Sequence, residues 1–365
     1  MADVISFARG APSSDLLPVA AVREAAANAL EGDASVALSY GSGIGHVGLG
    51  EWIAERQGGV DPSGVMVTNG SLEAGWMLFE LMLEPGDEVV VEQPSYDRTL
   101  LMLERLDVDR IGVPLEADGI DVDAVEQALA DGHAPKLIHV IPNFHNPAGC
   151  TLSEGKRRRL VELSAEHGFW IFEDDPYREV RFGDEALPTM LALAEGTDAR
   201  VIHASSFSKT VSPGVRVGYL VGPDEQIGEL AKRATQTYIS PNMLSEAIVF
   251  ELCLSGGLDR NIEVVNAALA QRRDAVVEEL EGQIPEAKFV VPGGGYFLWL
   301  DLAEGSDTPG LLPLAKEEGV AFVAGPDFML EGGERSLRLS FASVPPADVP
   351  EGIGRIARAL AKQRS

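Results

Sequence analysis

The sequence predicts an α/β fold, a large domain on a mostly parallel seven-stranded sheet followed by a smaller α+β domain. Three observations carry this prediction. Short apolar runs recur between residues 65 and 221, and amphipathic stretches separate several of them. A long helical pattern at Leu258–Gly282 closes that series. Beyond it, a few strand-like runs stand among glycines and short helical segments.

Each element has its own reason. The first expected strand is Val65-Met-Val-Thr68, and Ser71–Leu83 then reads as a helix. Glu88–Glu92, Arg110–Val113 and Leu137–Ile141 are further strands, and Ser153–His167 is amphipathic. Phe169–Phe172, Arg200–His203 and Val217–Val221 complete the seven. Several are apolar at successive positions, as expected where helices cover both faces of a sheet. In Leu258–Gly282 the apolar residues Ile262, Val265, Leu269, Val276 and Leu280 share a stripe, with Arg and Glu between them. Strands are then expected at Lys288–Val291, Tyr296–Asp301 and Ser336–Phe341, and the domain boundary near Arg260.

Composition narrows the function classes. The 365 residues are 45% hydrophobic, enough for a large core. No run of eighteen apolar residues suggests a membrane span, and Met1–Phe7 lacks the basic and apolar regions of a signal peptide. Cys150 and Cys253 make no disulfide framework, so a cytoplasmic location is expected. The six histidines lack metal-binding spacing, so no metal is expected. The net charge of −28 would repel nucleic acid and anionic membranes.

In doubly wound sheets, ligands bind beyond the carboxyl ends of the strands. After Val65–Thr68 come Asn69, Gly70, Ser71 and Leu72, a turn opening a helix, where free N–H groups and a hydroxyl suit an anion. It could equally be an ordinary helix start. After Glu88–Glu92 comes Pro94-Ser-Tyr96, whose aromatic ring suits stacking on a flat ligand or plain packing. After Leu137–Ile141, the turn Asn146-Pro-Ala-Gly149 offers the Asn146 amide. After Phe169–Phe172 come Glu173, Asp174 and Asp175, then Tyr177. Three carboxylates ending an apolar strand are unfavourable unless one meets a buried cation.

After Arg200–His203 comes the most informative segment, Ser205-Ser206-Phe-Ser208-Lys209-Thr210, with Arg216 seven residues beyond the lysine. A lysine among hydroxyls, with an arginine nearby, suits covalent amine chemistry beside a bound phosphate. Pyridoxal 5'-phosphate needs that arrangement, and its protonated ring nitrogen would be the cation that Asp174 meets. The segment Gly43-Ile-Gly45-His-Val-Gly48 has dinucleotide-fingerprint spacing but follows no apolar strand, so it reads as a glycine-rich loop near the site. No Gly-x-Ser-x-Gly elbow supports a serine hydrolase.

With these residues in place, the chain resembles the fold-type-I pyridoxal-phosphate enzymes of the class I/II aminotransferases. It is most similar to the branch of 2-aminoadipate and kynurenine aminotransferases and MocR catalytic domains. The resemblance runs from Ser6-Phe-Ala-Arg-Gly10 and Ser39-Tyr40-Gly41 through the turns above to Pro292–Leu300, Gly319–Gly325 and Leu337-Arg338. It implies an N-terminal arm at 1–35 associated with the small domain, a large cofactor-binding domain at 36–259 and a small domain at 260–365. It implies that Lys209 carries the cofactor as a Schiff base and moves the proton. Asp174 would pair with the ring nitrogen, Tyr177 and Asn146 would contact the ring oxygen, and Tyr96 would stack. Gly70, Ser71, Leu72, Ser206, Ser208 and Arg216 would hold the phosphate, with Tyr40 supplied by a neighbouring subunit of a homodimer. Arg338, Asn146 and Gly10 would bind the substrate, with Arg338 gripping its α-carboxylate.

The chain departs from the family in Leu72, where a polar residue is common, and in Ala148, where threonine is usual. Its strong negative charge makes a DNA-binding regulator unexpected. The expected reaction moves an amino group from an L-amino acid to a 2-oxo acid such as 2-oxoglutarate. A lyase or decarboxylase would use the same lysine and cofactor. Arg9, Arg23 and the loop near Ile44 are candidates for side-chain selection.

Lysine is scarce, at seven residues, while Asp and Glu total 57. Such a surface suits solution in high salt, where charge is screened. The denaturation midpoint is therefore expected to fall as multimolar salt is withdrawn; full stability without salt would rule out a halophilic surface.

Overall fold

The computed structural model describes residues 4–183 and 185–364. Met1–Asp3 and Ser365, at the outer limits of the expected domains, lie outside the described residues. Chain order gives β1 (Ile5–Ser6), β2 (Val65–Thr68), β3 (Glu88–Gln93), β4 (Asp109–Glu116) and β5 (Gly119–Ile120). Next come β6 (Leu137–Val140), β7 (Trp170–Asp174), β8 (Arg200–Ser206) and β9 (Gly218–Val221). The last four are β10 (Phe297–Asp301), β11 (Val320–Ala321), β12 (Val323–Ala324) and β13 (Ser336–Ser340).

The central sheet has the order β2-β9-β8-β7-β6-β3-β4-β5. Strands β8, β7, β6, β3 and β4 run parallel, whereas β9 is antiparallel to both its neighbours. The sheet thus holds eight strands where seven were expected. The addition is β5, two residues that fold back antiparallel on the end of β4. It is too short to carry a periodic signal.

The apolar runs of β3, β6, β7 and β8 divide between two cores by the two-residue period of a strand. Val89, Val91, Leu137, Phe172 and Ile202 face one core. Val90, Ile138, Ile171 and Val201 face the other. Residues adjacent in sequence are therefore buried on opposite faces, which is why these strands read as unbroken apolar runs.

A third core lies under the helices Gly257–Gln283, Thr308–Glu318 and Val349–Gln363, with Leu269, Val276, Leu300, Leu339 and Ile356 among its members. Over it lie the antiparallel sheet β10-β13-β12 and the parallel pair β1-β11. The expected boundary near Arg260 falls in the first turn of the helix Gly257–Gln283. Residues Lys288–Val291 are not a strand. Only Lys288 bridges, to Asp301 at the end of β10.

The N-terminal segment divides. Its strand β1 joins β11, but its helix Val19–Glu31 packs on the helix Met243–Leu254 of the large unit. The loop Gly43–Gly48 is held by a bond from Val67 N–H to the Ile44 carbonyl, and none of its residues lines the cavity described below. Among the described residues, no helix is long and apolar enough to cross a membrane.

Arg157 is fully buried and ties the site loops to the sheet. Its guanidinium donates to the carbonyls of Leu152, Pro142 and Pro188 and to Asn143 Oδ1. Arg157→Leu leaves those acceptors buried and unpaired. We expect a loss of about 3–5 kcal/mol of stability, read from the urea midpoint.

Candidate active site

The carboxyl ends of β3, β6, β7 and β8 meet the start of the helix Ser71–Met82 around a cavity of about 170 Å³. Ser71, Leu72, Tyr96 and Asn146 line one part of it. Asp174, Tyr177, Ser206, Ser208, Lys209 and Arg216 line another part. Elements separated by more than a hundred residues in sequence thus converge on one site.

Lys209 lies just beyond β8. Its Nζ donates to the Gly10 carbonyl at 3.0 Å and sits 5.1 Å from the Tyr296 ring centroid and 5.4 Å from that of Tyr177. Burial, helped by the nearby Arg338 and Arg216 guanidinium groups, lowers its pKa to about 8. Asp174 pulls the other way. The result is an amine that is substantially unprotonated at mildly alkaline pH. A side chain at position 10 would not fit, since a Cβ there would lie 2.5 Å from Phe297.

The acidic end of β7 divides as the strand alternation requires. Glu173 accepts from the Met190 and Leu191 N–H groups and contacts His203 at 3.1 Å. Asp175 accepts from Asn143 Nδ2 at 2.7 Å. Glu173, Asp175 and His203 bring ligand-type atoms within 4.8 Å of one another, but Glu173 and Asp175 already hold these partners. Asp174 faces the cavity. Its Oδ2 lies 3.6 Å from His139 Nε2, and its Oδ1 is buried with no hydrogen-bond partner among the described residues.

Tyr177 is buried against Tyr296 and Phe297, and burial raises its pKa well above the usual value. Tyr96 is pushed up to about 12, again chiefly by burial. Both phenols therefore keep their protons and remain donors.

The opposite end is built for an anion. Gly70, at φ 96°, precedes the helix Ser71–Met82, and no side chain caps the free N–H groups of the first turn. A Cβ on Gly70 would meet Arg216 Nη2 at 2.4 Å. Arg216 itself has φ 51° and is held by bonds to the Asn69 and Pro213 carbonyls. Ser206 Oγ and Ser208 Oγ lie 2.9 Å apart, and Ser208 N–H donates to Ser206. Leu72 adds no polar side chain, but its N–H belongs to this first turn.

Arg338, on β13, stacks between Phe297 and Phe328 and donates to Asn146 Oδ1 at 3.0 Å and to the Ala8 carbonyl at 2.9 Å. Its Nε has no partner. With Oδ1 so engaged, Asn146 has its Nδ2 free to donate into the cavity. Tyr40 is not in this cavity. It is 83% exposed, beside Met243 and Pro241.

Sequence reasoning missed His139, Glu92 and His145. The available signals were the single histidine in the apolar run Leu137–Ile141 and a glutamate closing the run Glu88–Glu92. Their roles need pairings across strands that no local spacing reveals.

Pyridoxal phosphate fits these residues. The orphaned Asp174 oxygen suits a protonated ring nitrogen, the uncapped helix start with Arg216 suits a phosphate, and the buried amine suits an aldehyde. Comparison with known proteins agrees. The model of the family "Aminotransferase class I and II" matches residues 2–356. A 2-aminoadipate transaminase of Thermus thermophilus is 36% identical over 98% of this chain and 90% of its own. An aromatic-amino-acid aminotransferase of Thermococcus litoralis is 34% identical over 99% and 89%. The structure of LysN, an α-aminoadipate aminotransferase of T. thermophilus with N-(5'-phosphopyridoxyl)-L-leucine, superposes with a TM-score of 0.93. It covers 99% of this chain and 93% of that one, at 34% identity.

The lowered lysine pKa has a kinetic consequence. Attachment of pyridoxal phosphate to the ligand-free protein should accelerate with pH up to about 8 and then level off. Stopped-flow absorbance would show this; a rate still climbing at pH 10 would contradict it.

Proposed function

The chain belongs to the class I and II aminotransferases and is a pyridoxal-phosphate-dependent transaminase acting on amino acids, and from that premise we propose which residues perform the reaction and on what. The observation that carries the assignment of roles is the meeting of Lys209 with the unpartnered Asp174 oxygen in one cavity.

Bound pyridoxal phosphate supplies an aldehyde that an amine engages covalently and a ring that draws electrons from the attached carbon. Lys209 would hold it through the side-chain amine. Burial lowers the pKa of Nζ to about 8, so that a fraction is unprotonated and able to take the proton from the substrate Cα. Asp174 holds the ring N–H, with His139 behind it. Tyr177 and Asn146 Nδ2 donate toward the ring oxygen. The first turn at Gly70–Leu72, with Ser206, Ser208 and Arg216, grips the phosphate.

Arg338 binds the α-carboxylate. Its stacking between two phenyl rings fixes the plane of the guanidinium, which suits a bidentate pair. Gly10 shapes the floor beside Lys209. The acceptor is a 2-oxo acid, 2-oxoglutarate being the first to test. The donor is a large L-amino acid, in keeping with the relatives' 2-aminoadipate and aromatic substrates.

We further propose a cytoplasmic homodimer with shared sites. Tyr40, Leu38 and Val47 are apolar or aromatic yet more than half exposed, and Tyr40 lines clefts with each of the other two. A second copy covering this patch would bring Tyr40 to its partner's phosphate.

Two measurements test the reading. Borohydride reduction followed by peptide mapping should trap the cofactor on Lys209, and mixing an amino-acid panel with 2-oxoglutarate should yield glutamate. Label elsewhere, or no glutamate with any donor, would refute it. Asp174→Asn should lower kcat by at least about 100-fold, the order of a buried charge pair lost. A change under threefold would remove Asp174 from the mechanism.

A further inference from the structure

Asn146 must serve two masters, Arg338 through Oδ1 and the cavity through Nδ2, so its placement matters twice. Its own bonds do not explain that placement. The residue before it does. His145 is buried, and its Nδ1 accepts from the Ala148 N–H at 3.1 Å, across the turn that holds Asn146. Its Nε2 lies 3.0 Å from Glu92 Oε2. An Nδ1 that accepts a proton donor leaves Nε2 as the N–H, so the imidazole donates to Glu92.

Glu92, buried at the end of β3, also accepts from the Ile141 N–H at 2.8 Å, at the end of β6. The main chain adds two bonds, His145 N–H to the Cys150 carbonyl and Gly149 N–H to the His145 carbonyl. The imidazole therefore spans the turn, with one nitrogen on its far side and the other on a carboxylate that joins two strand ends.

We propose that Glu92 and His145 form a positioning pair for Asn146, fixing both its donation to the ring oxygen of the cofactor and its grip on Arg338. Neither residue touches the reacting atoms. This rests on the functional reading above, in which Asn146 faces the ring oxygen. The chemistry gives a distinctive signature. An N–H aimed at the ring oxygen draws its charge away from the adjoining nitrogen of the lysine linkage, so that nitrogen releases its proton at lower pH. A displaced Asn146 would leave the proton held to higher pH. Arg338 would also lose an acceptor that orients it.

The test uses the holoenzyme. His145→Phe keeps a ring and removes both nitrogens; His145→Gln keeps a donor and an acceptor. The absorbance of the bound cofactor is titrated with pH, alongside KM and kcat for one donor and the melting temperature. His145→Phe should raise the absorbance midpoint by about one pH unit and KM about tenfold, the order of one charge-assisted hydrogen bond. His145→Gln should stay close to the wild type. Combined with Asn146→Ala, His145→Phe should add no further shift, because both act through the same bond.

A lowered melting temperature with unchanged midpoint and KM would reduce the pair to a structural role and overturn the proposal. So would additive shifts in the double variant. If His145→Phe fails to fold, Glu92→Gln serves instead. Its weaker acceptor should raise the midpoint by a smaller amount, and an unchanged midpoint would equally overturn the pair. A wild-type protein with no lysine-linked absorbance would refute the functional reading itself, and the pair's role with it.

Discussion

Everything in this site is arranged around a buried carboxylate oxygen, Asp174 Oδ1, that has no hydrogen-bond partner among the described residues. Strand alternation isolates it. Glu173 and Asp175 turn to the opposite face of β7, where backbone N–H groups and His203 meet Glu173 and Asn143 meets Oδ2 of Asp175, whose Oδ1 also lacks a partner among the described residues. Only Asp174 faces the cavity. A single unpaired anion in that place is unfavourable until a cation arrives, and the protonated ring of the cofactor is the cation that the surrounding groups also fit. The buried hydrogen bonds of Arg157 and Asn143 hold the neighbouring loops so that this one oxygen remains available.

Electrostatics then assigns the other parts. The chain carries a net charge of −28, yet Lys209, Arg216 and Arg338 gather at one site. Burial, with repulsion from the two guanidinium groups added, lowers the lysine pKa to about 8, so the neutral amine is within reach at mildly alkaline pH. The same cations suit a dianionic phosphate at one end and a carboxylate at the other. Tyr96 and Tyr177, with pKa values raised by burial, supply donors that do not ionise.

Much of this was legible in the sequence because it depends on local order. The strands were readable from apolar runs, and the site turns from the residues just beyond each strand. The failures have physical causes. Strands β1, β5, β11 and β12 are two residues long and exist only because a neighbour is there to pair with. Lys288–Val291 has the composition of a strand but only one bridge. The three carboxylates of Glu173–Asp175 suggested one buried cation to meet, and that reasoning could not see that two of them turn to the far face, toward His203 and Asn143.

Residue order alone determined that a lysine among hydroxyls would stand beyond an apolar strand, with an arginine close behind, because those neighbours are covalently fixed. It determined equally which turns could bind an anion or a flat ring. Tertiary structure alone decided which groups meet. Lys209 against the Gly10 carbonyl, Arg338 on Asn146, His139 behind Asp174 and Glu92 on His145 all join residues far apart in the chain. Such contacts depend on strand order and register, which are set by burial across the whole sheet and have no signature in any one segment.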